Sequence, residues 1–166
     1  MDAGGGLGDD AALEALRDVL AALSATAPRL VFKKTLNRAD VDPNQARLLI
    51  PCRKRGVITD ADALAAFLTA EEKDIGMQVP AYDRHGRRFD MRLWMVGSNS
   101  CYRLFGPQWS RFLADNQLEE AMAVAKEMGR KPEVEFWAFR SAELERHVEA
   151  GQHPDGALGM AILIRN

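Results

Sequence analysis

The 166-residue sequence predicts a mainly β fold, a barrel of short strands with short helices between them. Three observations support this prediction. Seven short segments have the alternation or composition of strands, turn residues separate many of them, and the helical segments are short. The length suits one domain with a modest extension, and a 47% share of hydrophobic residues is ordinary for a chain that buries a core.

The N-terminal part of the chain differs from the predicted barrel, which we assign to residues 29–166. Residues 1–9 are rich in glycine and are expected to be disordered. Residues 10–28 form a separate region with an amphipathic helix over 10–25, which Asp9 or Asp10 can cap and which Ala27-Pro28 is expected to end. Its apolar stripe consists of Leu13, Leu16, Leu20 and Leu23. The stripe can cover the barrel, or it can form a dimerisation or partner-binding surface; we expect it to cover the barrel, because most amphipathic helices simply pack.

The first half of the predicted barrel contains a hairpin and a short helix. Strands are expected at 30–36 and 46–51, with a turn over Asp40–Asn44, where proline and Asp/Asn residues favour a turn. A Thr-x-x-Asp capping pattern at Thr59 opens a short helix with Leu64, Phe67 and Leu68 on its apolar face.

The middle of the chain predicts a second hairpin and a polar turn. A strand over Gly76–Tyr82 leads to a turn in which Gly86 can take a positive φ. Residues 87–96 alternate, with Phe89, Met91, Leu93 and Met95 on one face and Arg88, Asp90, Arg92 and Trp94 on the other. The turn Gly97–Ser100 then leads into a strand over Cys101–Phe105.

The last third predicts helices followed by the final strands. Helices are expected at Pro107–Ala114 and Leu118–Met128, with Gly129 as the C-terminal stop of the second. Strands are expected at Val134–Phe139 and Leu158–Ile164, with a short helix over Glu143–Ala150 between them. We expect Trp94, Trp109 and Trp137 to be packing residues.

Positive charge is concentrated in two segments, although the chain has a net charge of −2. Residues 30–55 hold seven Lys/Arg against two Asp, and residues 83–103 hold five Arg against two Asp. A focused basic patch can bind phosphates on a protein that is acidic overall. For either segment alone, a solvated basic face is the better interpretation; the two together favour nucleic acid.

The sequence favours a binding protein over an enzyme. His147 and His153 have no zinc-ligand spacing, no phosphate-binding loop is present, and Cys52 and Cys101 show no metal-ligand pattern. We therefore expect no cofactor. Two cysteines without a signal peptide predict a cytosolic or nuclear protein with free thiols, and no apolar run approaches the length that crosses a bilayer.

One order of motifs runs through the two basic segments. A lysine-bearing strand, Asp40-Val41 and an Arg-Leu-x-Ile-Pro strand from Arg47 are followed by a basic hairpin, a Ser/Asn turn and a Trp-x-x-Phe helix from Trp109. Over about residues 30–140 this order resembles the plant-specific B3 DNA-binding domain of auxin response factors and reproductive-meristem factors. The chain departs from the family pattern at Asn37-Arg38-Ala39, carries an extra residue before Arg47, and has Glu120-Ala121-Met122 after the helix, so it resembles a divergent member.

The resemblance implies a fold and a binding site. The fold is a seven-stranded open pseudobarrel with flanking helices, and two arms clamp the major groove of double-stranded DNA in nuclear transcriptional regulation. Lys34, Arg47 and Arg92 match the family positions most directly, and basic side chains meet phosphates. Gly97 and Ser98 fall where the family often has polar base-reading residues, the family's Asn falls nearer Gly97, and the amide of Asn99 can pair with adenine. Arg47 and Asn99 are the best candidates for base-edge contact. The implied DNA-binding residues are Lys34, Arg38, Arg47, Arg53, Lys54, Arg92, Gly97, Ser98, Asn99, Ser100 and Arg103.

Two other functions remain open from the sequence. A protein-interaction scaffold would keep the barrel without specific DNA binding, and the acidic total charge, the absence of a side chain at Gly97 and the N-terminal helix favour it. A recognition domain associated with a nuclease would share the architecture. It ranks last, because no carboxylate cluster suited to metal-dependent cleavage is visible.

Overall fold

The computed structural model describes residues 11–36, 41, 47–50, 77–96, 101–144 and 155–165. Several predicted elements lie outside the described residues. The helix from Thr59 and the turn Gly97–Ser100 lie outside them entirely, and the turn Asp40–Asn44 and the helix Glu143–Ala150 lie mostly outside them. The strands are β1 (Arg29–Thr35), β2 (Arg47–Ile50), β3 (Met77–Tyr82), β4 (Arg88–Val96), β5 (Cys101–Phe105), β6 (Glu133–Ser141) and β7 (Ala157–Arg165). The α-helices are α1 (Glu14–Ala22), which follows a 3₁₀ turn at Ala11–Leu13, α2 (Pro107–Asp115) and α3 (Leu118–Glu127).

The seven described strands form one mixed sheet in the order β1-β6-β7-β3-β4-β5-β2. All neighbours are antiparallel except β3 and β7, which are parallel through Ala81↔Met160 and Tyr82↔Ala161. Strands β1 and β2 are the two edges, so the sheet curls around a core without closing. This confirms the expected mainly β, seven-stranded open pseudobarrel with flanking helices.

The interior of the barrel is built by alternation along the strands. On β4, Phe89, Met91 and Leu93 are buried, whereas Arg88, Asp90 and Arg92 are exposed, as predicted. Helix α2 closes the interior with Trp109 and Phe112, which are fully buried. The two rings stack at a centroid distance of 5.5 Å, and Phe112 meets Phe89 edge to face at 5.3 Å. The prediction that Trp109 and Trp137 are packing residues is confirmed; the side chain of Trp94 lies outside the described set.

Strands β6 and β7 are buried on both faces. Val134, Phe136 and Ala138 point into the barrel, whereas Trp137 and Phe139 lie in a second cluster outside it. Helix α1 covers this outer cluster with Leu16 and Leu20, and Leu13 and Leu23, which flank the helix, pack against it as well. Leu13, Leu16 and Leu20 are each less than 10% exposed, and Leu23 is partly buried. The stripe of leucines therefore packs on the chain's own sheet, which was the expected alternative.

Helix α1 ends earlier than the sequence predicted. Its last residue is Ala22, and Ser24 takes the left-handed conformation with φ 50°. The amides of Ser24 and Ala25 donate to the carbonyls of Ala21 and Leu20, which satisfies the last turn. The next residues then bond to β6. The amide of Thr26 donates to the carbonyl of Arg140, and Oγ1 of Thr26 accepts from the amide of Arg140, each at 2.9 Å. The helix therefore ends at Ala22, ahead of the left-handed Ser24 and well before Pro28.

Candidate nucleic-acid interface

The structure places four of the eleven predicted DNA-binding residues. The side chains of Lys34 and Arg92 are described, and Arg47 and Arg103 are placed by their backbones. Arg38, Arg53, Lys54, Gly97, Ser98, Asn99 and Ser100 lie outside the described residues.

The three placed arginines, one on each of β2, β4 and β5, occupy adjacent strands at one side of the sheet. Arg47 of β2 pairs with Phe105 of β5, and Phe105 pairs with Arg92 of β4. Arg47, Phe105 and Arg92 therefore form one cross-strand row, with Phe105 between the two arginines. Neighbouring strands lie about 4.8 Å apart, which puts the Arg47 and Arg92 backbones about 10 Å apart. Arg103 lies on β5, two positions from Phe105.

The same side of the sheet contains a shared corner. Strand β4 ends at Val96 opposite Cys101, and β2 ends at Ile50 opposite Tyr102. The chain therefore enters residues 97–100 and residues 51–55 from neighbouring backbone positions. Two of the segments that the family resemblance assigns to DNA contact leave the sheet at this one corner.

Charges on the outer face of β4 are partly paired. Arg92 is exposed, and on the same face Arg88 Nε donates to Asp90 Oδ1 at 2.8 Å. This hydrogen bond raises the pKa of the Arg88 guanidinium. Burial raises the pKa of the nearby Tyr82 phenol, although Arg88 opposes the shift. The exposed face of β4 therefore holds two arginines and one aspartate.

Lys34 lies away from the arginine row. It is half-buried on β1, where it pairs with Val134 of β6, and β1 forms the opposite edge of the sheet from β2. The four placed residues thus divide into three arginines on β4, β5 and β2 and a lysine on the other edge of the open barrel.

The structure also forms a cleft that sequence analysis did not identify. This hairpin cleft has a volume of about 540 Å³ and lies between the β3–β4 turn, the α2–α3 junction and the end of β7. Its elements are distant in sequence, so no local pattern revealed it. Its lining residues are Arg84, His85, Arg87, Asp115, Asn116, Gln117, Glu120, Ala121, Val124, Ala125, Arg130 and Ile164.

A buried carboxylate fixes the wall of the hairpin cleft. Asp83 is fully buried, and its Oδ1 accepts hydrogen bonds from the amides of His85 and Arg87, each at 2.9 Å. Its Oδ2 accepts from Arg87 Nε at 2.7 Å and from Asn116 Nδ2 at 3.3 Å. The turn also contains Gly86 with φ 78°, as predicted, packed against α1. Asp83 therefore holds the turn in shape and ties it to the end of α2.

Replacing Asp83 with alanine should lower the free energy of unfolding by about 2–3 kcal/mol, because two turn amides and a guanidinium lose a charged acceptor. Chemical denaturation would measure the change. Asp90→Ala is the matched control, since that carboxylate is exposed and its pair with Arg88 contributes at most about 1 kcal/mol. Equal losses for the two variants would contradict the structural role of Asp83.

The described residues form neither a metal site nor a membrane-spanning helix. In this part of the chain, no group of three His, Cys, Asp or Glu side chains could hold a metal ion. No helix among the residues that the structure places is long and apolar enough to cross a membrane.

Similarity to known proteins extends over most of the chain. The model of the family described as "B3 domain-containing protein At2g31720-like" matches residues 9–148. The B3 domain-containing protein At2g31720 of Arabidopsis thaliana is 29% identical over 141 residues, covering 76% of this chain and 42% of that protein. The putative B3 domain-containing protein At3g49610 of the same plant is 25% identical over 127 residues, covering 68% of this chain and 35% of that protein. The chain thus spans less than half the length of either relative, and it belongs to the At2g31720-like family of B3 domain-containing proteins.

Proposed function

We propose that this chain is a non-enzymatic, sequence-specific binding module for double-stranded DNA that acts in transcriptional regulation in the plant nucleus. Membership of a B3 domain family supports this proposal in its general form. The observation that carries the detailed form is the arrangement of two strands. Arg47 and Arg92 lie in one row, and β2 and β4 run on from them for three and four residues to the corner from which residues 51–55 and 97–100 leave the sheet.

In the proposed mechanism, one set of residues orients the protein on the duplex and another set contacts the bases. Arg92, Arg103, Lys34, and the basic residues Arg38, Arg53 and Lys54 meet phosphates, which fix the orientation of the protein on the duplex. Arg47 and the turn Gly97–Ser100 enter the major groove. Within that turn, the amide of Asn99 has the donor and acceptor pair that matches adenine, and hydroxyl groups of Ser98 and Ser100 reach base edges.

The test is a titration of the full chain against a labelled pool of random 20-base-pair duplexes at several salt concentrations. Binding should weaken with salt, with a log–log slope of roughly −0.9 per phosphate neutralised. Arg92→Ala should lower affinity and reduce the magnitude of the slope by about one phosphate contact. Lys126→Ala is the matched control, because Lys126 is an exposed cation on α3 away from the row.

Sequence preference is then measured by selecting duplexes from the pool. Arg47→Ala and Asn99→Ala should flatten the preference by about 1–3 kcal/mol at one base position, whereas Lys34→Ala should lower affinity for all sequences alike. Undetectable binding at low salt, or equal losses for Arg92→Ala and Lys126→Ala, would overturn the proposal and favour the protein-interaction scaffold.

A further inference from the structure

The hairpin cleft carries positive charge that its own carboxylates do not neutralise. Two of its charges are paired within the fold: Arg87 with Asp83, and Asp115 with Arg111 at 3.5 Å. The ionised lining residues that remain are Arg84, Arg130 and Glu120. Among the described residues, Arg84 has no ion pair and Arg130 makes one side-chain contact, to Met128 Sδ at 3.4 Å. The remaining charged groups that line the cleft are therefore two guanidiniums and one carboxylate.

Part of the lining of the hairpin cleft is apolar. Ala121, Val124 and Ala125 of α3 and Ile164 of β7 line it. Val124 is 56% exposed, and Met128, one helical turn further along, is 60% exposed. These are two of the three large hydrophobic residues that are exposed in the described part of the chain. An apolar strip beside unpaired guanidiniums is complementary to a ligand with both carboxylates and apolar side chains.

The shape and position of the cleft distinguish a peptide from DNA. The cleft is concave, and its volume is that of a pocket for a few side chains, whereas a duplex presents a wide convex rod. Glu120 on its rim would repel a continuous row of phosphates. Nine residues of β4, roughly 27 Å, separate the β3–β4 turn from residues 97–100.

We propose that the hairpin cleft binds an acidic peptide segment of a partner protein. Carboxylates of the peptide pair with Arg84 and Arg130, and an apolar side chain packs on Val124 and Ile164. Because Asp83 fixes the β3–β4 turn, the position of Arg84 is set before the peptide arrives, which lowers the entropic cost of binding. Given the proposed function, a partner can bind in the cleft while the arginines on β4, β5 and β2 contact DNA.

The experiment uses the full chain and a fluorescein-labelled 12-residue peptide in which Asp or Glu alternates with Leu or Phe. Fluorescence anisotropy should show saturable binding that weakens with salt. Arg84→Gln/Arg130→Gln should weaken it at least tenfold, roughly 1.4 kcal/mol. Val124→Ser should weaken it severalfold. Lys126→Gln removes a cation from the same helix outside the cleft, and it should leave the affinity unchanged.

Two controls make the result decisive. Melting temperatures identify variants that are misfolded, and the Val124→Ser variant tests the cleft without changing its charge. The same variants are titrated with the random duplex pool, whose affinity should stay within twofold. Three outcomes would overturn the proposal: no peptide binding, an equal change in peptide affinity for Lys126→Gln and the double variant, or a parallel loss of affinity for the duplex. The last outcome would assign the cleft to the DNA surface.

Discussion

Replacing Gly156 with alanine is expected to destabilise the protein by about 3 kcal/mol or more, or to prevent folding, because two costs add. Gly156 is buried and has φ 105°, a conformation that residues with a Cβ atom rarely adopt. A Cβ atom there would also overlap the Ser141 carbonyl and the Ala142 amide. These are backbone atoms of the β6 end and the turn after it, so no side-chain rotation can relieve the overlap. Thermal and chemical denaturation would measure the loss.

Gly129→Ala is the matched control for this prediction. Gly129 also has a positive φ, 72°, but a Cβ atom there would meet nothing within 4 Å. It ends α3 through a hydrogen bond from its amide to Lys126 O. The control should therefore cost only the conformational term, about 1–2 kcal/mol. If the two variants lose the same stability, the close approach of Gly156 to Ser141 does not matter.

Leu16→Ala should lower the free energy of unfolding by about 2–5 kcal/mol, because it leaves a cavity between α1 and the sheet. Leu16 is fully buried in the outer cluster, together with Trp137, Phe139 and Leu163. For a domain of this size, each kcal/mol should lower the melting temperature by about 2–4 °C.

Leu30→Ala provides the comparison, since Leu30 is 42% exposed on the edge strand β1 and should cost less than about 1 kcal/mol. Sedimentation of the Leu16→Ala variant tests the role of the helix further. A loss of dimers, without a change in melting temperature, would assign the leucine stripe to self-association instead of the barrel.

The sequence predicted the fold where local patterns carry it. The hairpin of β3 and β4 was predicted correctly from the alternation of apolar and polar residues on β4 and from the Asp-x-x-Gly turn before it. The alternation is strict because one face of β4 is buried and the other is exposed to solvent. The ends of β6 were harder to predict. Arg140 and Ser141 are polar yet buried, and they extend the strand through partners that are distant in sequence, such as Thr26. The prediction that Ala27-Pro28 ends α1 was wrong, because the helix already ends at Ala22, ahead of the left-handed Ser24.

The candidate site was predictable only in its residue types. Motif order drew attention to Arg47 and Arg92, but their shared row depends on the pairing of both positions with Phe105, which no local pattern encodes. The hairpin cleft was missed for a related reason. Arg84 and Arg130 line one cleft only because the end of α3 and the β3–β4 turn are brought together in the tertiary structure.

The covering of β6 and β7 by α1 has a consequence for folding during synthesis. Leu16 and Leu20 leave the ribosome more than a hundred residues before Trp137 and Phe139, on which they pack. Contacts of such sequence separation form late, since a long loop must close first. We therefore expect a slow final docking step, during which both the helix stripe and the outward side chains Trp137 and Phe139 are exposed to chaperones and to aggregation.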